Sequence, residues 1–280
     1  MYIFASEKKM TNSSDYISKN KAAWNAKTAY HIDSEFYDMK SFLSGKSSLK
    51  EIELNLLGDV KGKSILHLQC HFGQDTLSLA RMGANVTGVD LSDKAIEKAT
   101  ELNSQLKLNA AFVCCDIYDL TQHLKAKYDI VFTSYGTIGW LPDLDRWAAI
   151  VSQFLKPGGQ FIMADFHPVV WMLDDEFLNI KYSYFNIEEI IENESGTYAD
   201  KTAPIQYNTI SWNHPSSEVL NSLVKNNLVI CQFDEYDYSP YNCFKNLEEY
   251  IPGKFRNITW GNKLPMVFSI LASKPLAEAL

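Results

Sequence analysis

A chain of 280 residues with 46% apolar and 21% charged side chains has room for one large α/β domain with insertions, or two small ones, around a substantial core. Its formal charge of −8 and pI near 5.3, with no dense Lys/Arg face, argue against nucleic acid or another polyanion as partner. The five cysteines (Cys70, Cys114, Cys115, Cys231 and Cys243) are odd in number and lack C-x-x-C spacing, which argues against a disulfide framework and against a zinc site.

Residues 1–14 are polar and expected to fray, with Met10 a second candidate start. They contain no apolar core followed by a cleavage site, and no apolar run approaches the roughly 18 residues of a membrane span, so the chain reads as cytoplasmic, neither secreted nor membrane-bound. Residues 15–30 predict a helix with Tyr16, Ala23 and Tyr30 on one stripe and Ile17 and Trp24 beside it. Two roles fit that helix: packing on the main domain, or a lid laying Trp24 and Tyr30 over a bound cofactor. Residues 33–45 read as a loop. Ser48-Leu49-Lys50-Glu51 reads as a capping box that opens a helix, turns Leu49, Ile52 and Leu56 inward and ends at Gly58.

Ser64-Ile65-Leu66-His67-Leu68 is a short apolar run that fits a buried strand, followed by a tight turn, Gln69 to Gly73, and a helix over 75–82. A second strand at 86–89 closes on Asp90, and Ser92 is placed to cap a helix burying Ala95, Ile96, Ala99, Leu102 and Leu106. Strands at 110–114 and 128–132 end in Asp116 and in Thr133-Ser134-Tyr135-Gly136. A helix over 143–155 buries Trp147, Ile150, Val151 and Phe154, and Lys156-Pro157-Gly158-Gly159 stops it before a fifth strand at 160–164. Beyond Pro168 the alternation breaks. Residues 169–211 read as an inserted cap with antiparallel strands, 215–226 as a helix, 228–233 and 264–272 as the last two strands, and 237–261 as a second insertion.

Strands alternating with helices predict a Rossmann-like, doubly wound α/β sheet of seven strands, mostly parallel with an antiparallel terminal strand and helices on both faces. Residues 1–60 would then be N-terminal helices, and 61–280 one domain carrying the two insertions. In such a sheet the carboxyl ends of the parallel strands share one edge, where open α/β proteins bind ligands. The turn after the first strand offers backbone N–H groups and a helix N-terminus, which suit a carboxylate or phosphate. Asp90 lies 17 residues beyond Gly73, close to the roughly 20-residue offset of an acid that accepts from ribose hydroxyls. With a single glycine, the turn by itself fits an ordinary βα connection as well as a nucleotide site. Asp90 and Asp116 taken singly also fit simple caps, and His67 points into the fold as a structural residue.

Together these punctuation points resemble the class I S-adenosylmethionine-dependent methyltransferases of the small-molecule type. Ile65-Leu66-His67-Leu68-Gln69-Cys70-His71-Phe72-Gly73 is similar to that family's first motif, usually hydrophobic-Leu-Asp-hydrophobic-Gly-x-Gly-x-Gly. Val89-Asp90-Leu91-Ser92, Cys115-Asp116-Ile117, Phe132-Thr133-Ser134-Tyr135 and Leu155-Lys156-Pro157-Gly158-Gly159 follow in the family's order. The resemblance implies S-adenosylmethionine as cofactor. It implies that Gln69, Cys70, His71 and Gly73 hold the methionine portion, Asp90 the ribose and Leu91 one adenine face. Asp116 and Ile117 would meet the adenine edge, and Ser134 and Tyr135 would lie beside the sulfonium. His67, Gln69 and His71 stand where Asp, Gly and Gly are usual, so a φ below zero at Gln69 and His71, and a slightly different turn, are expected.

Methyl transfer needs alignment rather than a dedicated nucleophile, and a base only for a hydroxyl or protonated amine; Tyr135 and His167 are the catalytic candidates, with His71 a third. The implied partner is a small molecule, and the chain a monomer or homodimer. Aromatic residues of the insertions, Tyr182, Tyr184, Phe185, Trp212, Tyr236, Tyr238 and Tyr241, either wall an acceptor site or pack the insertions down. Two rival readings share the sheet: an NAD-dependent oxidoreductase, and a non-catalytic regulator that binds S-adenosylmethionine.

Overall fold

The computed structural model describes residues 13–276, so the expectation for the first dozen residues lies outside the described part. The elements run α1 (Ser13–Asp33), α2 (Met39–Leu43), α3 (Glu51–Leu57), β1 (Ser64–Leu68), α4 (Gln74–Arg81), β2 (Asn85–Asp90), α5 (Asp93–Leu106), β3 (Ala111–Cys114), α6 (Leu120–His123) and β4 (Tyr128–Ser134). They continue with α7 (Leu144–Phe154), β5 (Leu155–Phe166), β6 (Ile190–Ser195), β7 (Gln206–Ser211), α8 (Ser216–Lys225), β8 (Val229–Tyr236), β9 (Leu247–Ile251), β10 (Lys254–Asn257) and β11 (Val267–Ser273).

Seven strands form the main sheet in the order β3-β2-β1-β4-β5-β11-β8. The first five are mutually parallel, and β11 runs antiparallel to both β5 and β8. The reversed strand is therefore the last in sequence but sits inside the sheet, with β8 at the edge.

Alternation along β1 decides the layers. Leu66 and Leu68 face a core built with Trp147, Ile150 and Val151 of α7 and Val219 and Leu223 of α8. Ile65 faces the opposite core with Leu57 of α3 and Leu79 of α4. Both faces are thus covered by helices, and the parallel crossovers bring the ends of β1 to β5 to one edge. The two long connections each carry an antiparallel hairpin, β6–β7 and β9–β10.

Four local expectations change, the first within residues 33–45, read as a loop, where Met39–Leu43 form α2, opened by the Ser41 N–H donating to Asp38 Oδ1 at 3.3 Å. The helix expected to open at Ser48 opens at Glu51, because the Ser48 hydroxyl donates to Asp75 Oδ1 at 2.6 Å and the Lys50 N–H donates to Glu53 Oε1 at 2.6 Å. Leu57 takes the fully buried place expected for Leu56. Lys156 to Gly159 belong to β5 itself, where the Gly158 N–H and Gly159 carbonyl pair with Lys274 at 2.9 Å each.

Helix α1 turns inward a face different from the expected stripe: Asn20, Ala23, Lys27, Thr28 and His31 are buried, while Tyr16, Ile17 and Tyr30 are half-buried. The face is polar because it meets a hairpin edge and a cavity instead of a sheet face. Asn20 Nδ2 donates to the Ile210 carbonyl at 2.8 Å, and Asn20 Oδ1 accepts the Ile210 N–H at 2.9 Å, fastening α1 to β7. On its other side Asn25 accepts from the Ser92 hydroxyl at 2.6 Å and donates to Asp93 at 3.0 Å. Asn20→Ala leaves two buried backbone groups of Ile210 unpaired. It is expected to cost about 2 kcal/mol locally and to speed exchange of the Ile210 amide more than tenfold, as measured by native-state hydrogen exchange.

Candidate functional site

The turn after β1 is held by its backbone. The Cys70 N–H donates to the Val89 carbonyl at 2.9 Å, the Gly73 N–H to the Cys70 carbonyl at 2.9 Å, and the His71 N–H to Asp90 Oδ2 at 2.8 Å. Contrary to expectation, Gln69 and His71 adopt positive φ, +55° and +50°, so the turn keeps a glycine-like path in spite of its side chains. Tertiary bonds outweigh the local preference: Gln69 Nε2 donates to the Thr137 carbonyl at 2.8 Å, and His71 Nε2 lies 2.9 Å from His31 Nδ1. Gly73 has φ +83°, and a Cβ there would sit 2.9 Å from both Ala99 Cβ and Phe112 Cε1.

At the end of β2, Asp90 Oδ1 accepts the Ser92 N–H at 2.8 Å, so backbone donors hold both carboxylate oxygens at the cavity wall. Burial raises this carboxyl from 3.8 to about 6 against the opposing pull of the Ser92, His71 and Leu91 N–H groups. Asp116 follows β3 and caps a short turn by accepting the Tyr118 N–H at 2.9 Å. Burial also raises its carboxyl.

Asp165, near the end of β5, organises the loop after β4. It accepts from the N–H of Gly136, from the N–H and hydroxyl of Thr137 at 3.0 and 2.9 Å, and from its neighbour Phe166 at 2.7 Å. That grip presents Ser134 and Tyr135. The Ser134 hydroxyl donates to Asp75 Oδ2 at 3.0 Å, and the Tyr135 hydroxyl donates to Glu53 Oε2 at 2.8 Å. Glu53 is 0% exposed, and burial together with the Asp75 charge lifts its carboxyl from 4.5 to about 7.

All these strand-end groups surround one cavity of about 600 Å³. Gln69, Cys70, His71 and Gly73 line it from the first turn, Asp90 and Leu91 from β2, Asp116 and Ile117 from β3, and Ser134 and Tyr135 from β4. Residues 65–159 match the family model described as a methyltransferase domain. Over those residues the chain is similar to a methyltransferase domain.

A ubiquinone biosynthesis O-methyltransferase from Coxiella burnetii is 34% identical over 116 residues, which are 41% of this chain and 48% of that protein. The chain thus spans about half the length of that curated relative. An S-adenosylmethionine dependent methyltransferase from Mesorhizobium loti superposes with a TM-score of 0.56 at 18% identity, covering 83% of this chain and all of its own. A DhpI-SAM-HEP complex gives 0.58 at 16% identity, covering 95% of this chain and 100% of that chain. At such identities the superpositions speak for the fold.

Sequence reading missed several residues that line or support the cavity. Lys27 of α1 lines it and is 3% exposed, with its ammonium 4.9 Å from the Trp24 ring centre, 5.3 Å from Trp140 and 4.6 Å from Tyr207. Burial lowers its pKa, while Glu194 and Glu192 of β6 pull the other way. Burial and the Lys27 charge bring His31 from 6.5 to about 3. Burial, then His31 and Lys27, also push His71 well down, so the paired rings stay neutral. Asp75 and Glu53 were read only as helix residues. Glu53 was detectable: it lies four residues before Leu57 and next to Ile52, which puts an acid on the buried side of the helix.

His67 is buried as expected, with Nδ1 2.8 Å from the Thr76 hydroxyl. Trp24 lines the cavity, and Tyr30 does not. His167, expected as a base, does not line the cavity: Nδ1 accepts the Val169 N–H at 3.2 Å, so Nε2 carries the proton and donates to Glu235 at 2.8 Å, leaving neither nitrogen free. Of the insertion aromatics, Tyr182, Trp212 and Tyr241 line the cavity. Tyr184 bonds the backbone of Ser216, Phe185 is exposed, and Tyr236 and Tyr238 pack into a core.

Proposed function

We propose that the chain is an S-adenosylmethionine-dependent methyltransferase acting on a small molecule. The observation that carries this reading is the convergence of four successive strand-end groups on one cavity, at the edge where the family's motifs lie. The residues present fit the cofactor. Asp90 offers a carboxylate on the cavity wall to accept from ribose hydroxyls, and His71 Nδ1 and Gln69 Oε1, both on lining residues, lack partners among the described residues. Gln69, Cys70, His71 and Gly73 would hold the methionine portion, Asp90 the ribose, Leu91, Asp116 and Ile117 the adenine, and Ser134 and Tyr135 the reacting end.

When bound, S-adenosylmethionine supplies an electrophilic methyl group on a sulfonium. This chain's part is to align the acceptor and exclude water, with α1 and the β6–β7 hairpin roofing the cavity. Tyr135 is the candidate base. Its hydroxyl proton already points at Glu53 Oε2, so a proton arriving from an acceptor hydroxyl at the Tyr135 oxygen has an onward route. His167, turned to Glu235, is placed to brace the end of β5.

The relatives include a ubiquinone biosynthesis O-methyltransferase and a phosphoethanolamine N-methyltransferase from Triticum aestivum, which supports a small-molecule acceptor. The acidic charge supports an acceptor other than nucleic acid. The five free cysteines support a reducing, cytoplasmic setting, in which the chain is proposed to act as a monomer or homodimer.

Calorimetry with S-adenosylmethionine, S-adenosylhomocysteine and NAD tests the reading: binding of the first two and not the third is expected, and no binding of the first overturns it. Turnover across a metabolite panel, read as release of S-adenosylhomocysteine, tests catalysis. Asp90→Ala is expected to weaken S-adenosylhomocysteine by about 1–3 kcal/mol, roughly ten- to hundredfold, because buried donors lose their acceptor.

A further inference from the structure

We infer that Asp75, in the first turn of α4, is the anion that receives the α-ammonium of the cofactor's methionine portion. The inference rests on the cofactor reading above. In the first motif the family usually carries an acid where this chain has His67, and that ring is buried, tied to Thr76 and held neutral, with burial bringing it from 6.5 to about 4. The end of β1 therefore offers no negative charge.

Asp75 restores one at the same corner. Its carboxylate lines the cavity and takes the Ser48 hydroxyl on Oδ1 at 2.6 Å and the Ser134 hydroxyl on Oδ2 at 3.0 Å. One lone pair on each oxygen stays open. Among the described residues no lysine, arginine or histidine forms an ion pair with Asp75; Lys50 feels its charge but sits over the Tyr241 ring at 4.6 Å. A carboxylate in such a hollow is best balanced by a cation that arrives with the ligand.

Topology places that cation. Strand β3 is the edge of the sheet, so a ligand whose nucleoside sits at Asp90 and Asp116 extends the other way, across β1 towards β4. Gln69 after β1 and Ser134 at the end of β4 flank Asp75 there. Gln69 Oε1 is a buried acceptor without a partner among the described residues, a second group suited to an N–H donor.

The test is a cycle between protein and ligand, read by calorimetry with S-adenosylhomocysteine and its deaminated analogue. In the wild-type protein, deamination should weaken binding at least tenfold. In Asp75→Asn, which keeps shape and hydroxyl partners, S-adenosylhomocysteine should weaken similarly and deamination should matter less than twofold. An equal deamination penalty in both proteins overturns the assignment, since Asp75 then only shapes the pocket. Wild-type affinity unchanged by deamination overturns it as well. Wild-type protein that binds neither ligand removes the cofactor reading itself, whereas wild-type binding with an unaltered penalty in the variant removes only the role of Asp75. Asp75→Ser undergoes the same comparison if the first variant does not fold.

Discussion

Gly73→Ala is expected to destabilise the protein by about 3 kcal/mol, read as a fall in the urea midpoint, and to abolish measurable binding of S-adenosylhomocysteine. Two effects add. At φ +83° an L side chain is strained by about 1 kcal/mol. The new methyl group would also lie 2.9 Å from Ala99 on α5 and from the Phe112 ring on β3, and relieving that overlap moves elements or forces rotamers at about 2 kcal/mol. Phe112→Leu in the same chain removes the ring atoms concerned, so it should restore part of the loss and leave the backbone part. A loss below about 0.5 kcal/mol in Gly73→Ala would show that the turn follows another path.

Glu53→Gln is expected to do the opposite, and only at the right pH. Burial and the Asp75 charge raise this carboxyl to about 7 in the folded chain from 4.5. The folded state therefore favours the protonated form. Its stabilising contribution is complete below pH 4.5, declines as pH rises to about 7, and is gone above that, a difference of about 3 kcal/mol. Glutamine keeps an acceptor for the Lys50 N–H and a polar partner for Tyr135 without the charge. Thermal unfolding at pH 8 should show the variant more stable than the wild-type protein, and at pH 4.5 the two should nearly coincide. A variant equally destabilised at both values would mean that Glu53 is held ionised by its surroundings. If Tyr135 passes its proton to Glu53, the same variant also loses the alkaline rise in turnover near pH 7.

The sheet was legible because its signals are local. Short apolar runs ended by Gly73, Asp90, Asp116 and Ser134 mark parallel strands, and the fold then gathers those ends without further information. The residues that escaped notice are polar groups lying beside apolar positions. Lys27 and Asn20 share a helical face with Ala23, and Glu53 shares one with Leu57. Their partners, the Ile210 backbone, the rings of Trp140 and Tyr207, and the Tyr135 hydroxyl, are remote in sequence. The left-handed path at Gln69 and His71 was also out of reach, since bonds to Thr137 and His31 decide it. Asp75 had a sufficient local explanation as a first-turn acid, and that explanation concealed the hollow it faces.

Gln69, His71 and Tyr135 hold φ of +55°, +50° and +39°, all on the rim of the same hollow. Each such residue stores about 1 kcal/mol of strain in the ligand-free chain. Selection for a sturdier protein and selection for a tighter grip on ligand therefore pull against each other at these three places: glycine would relax the backbone and delete the side chains that shape the rim. Thermostabilised descendants of this chain should accumulate their changes elsewhere, and a library screened for heat resistance alone should drift towards glycine here while losing its ligand.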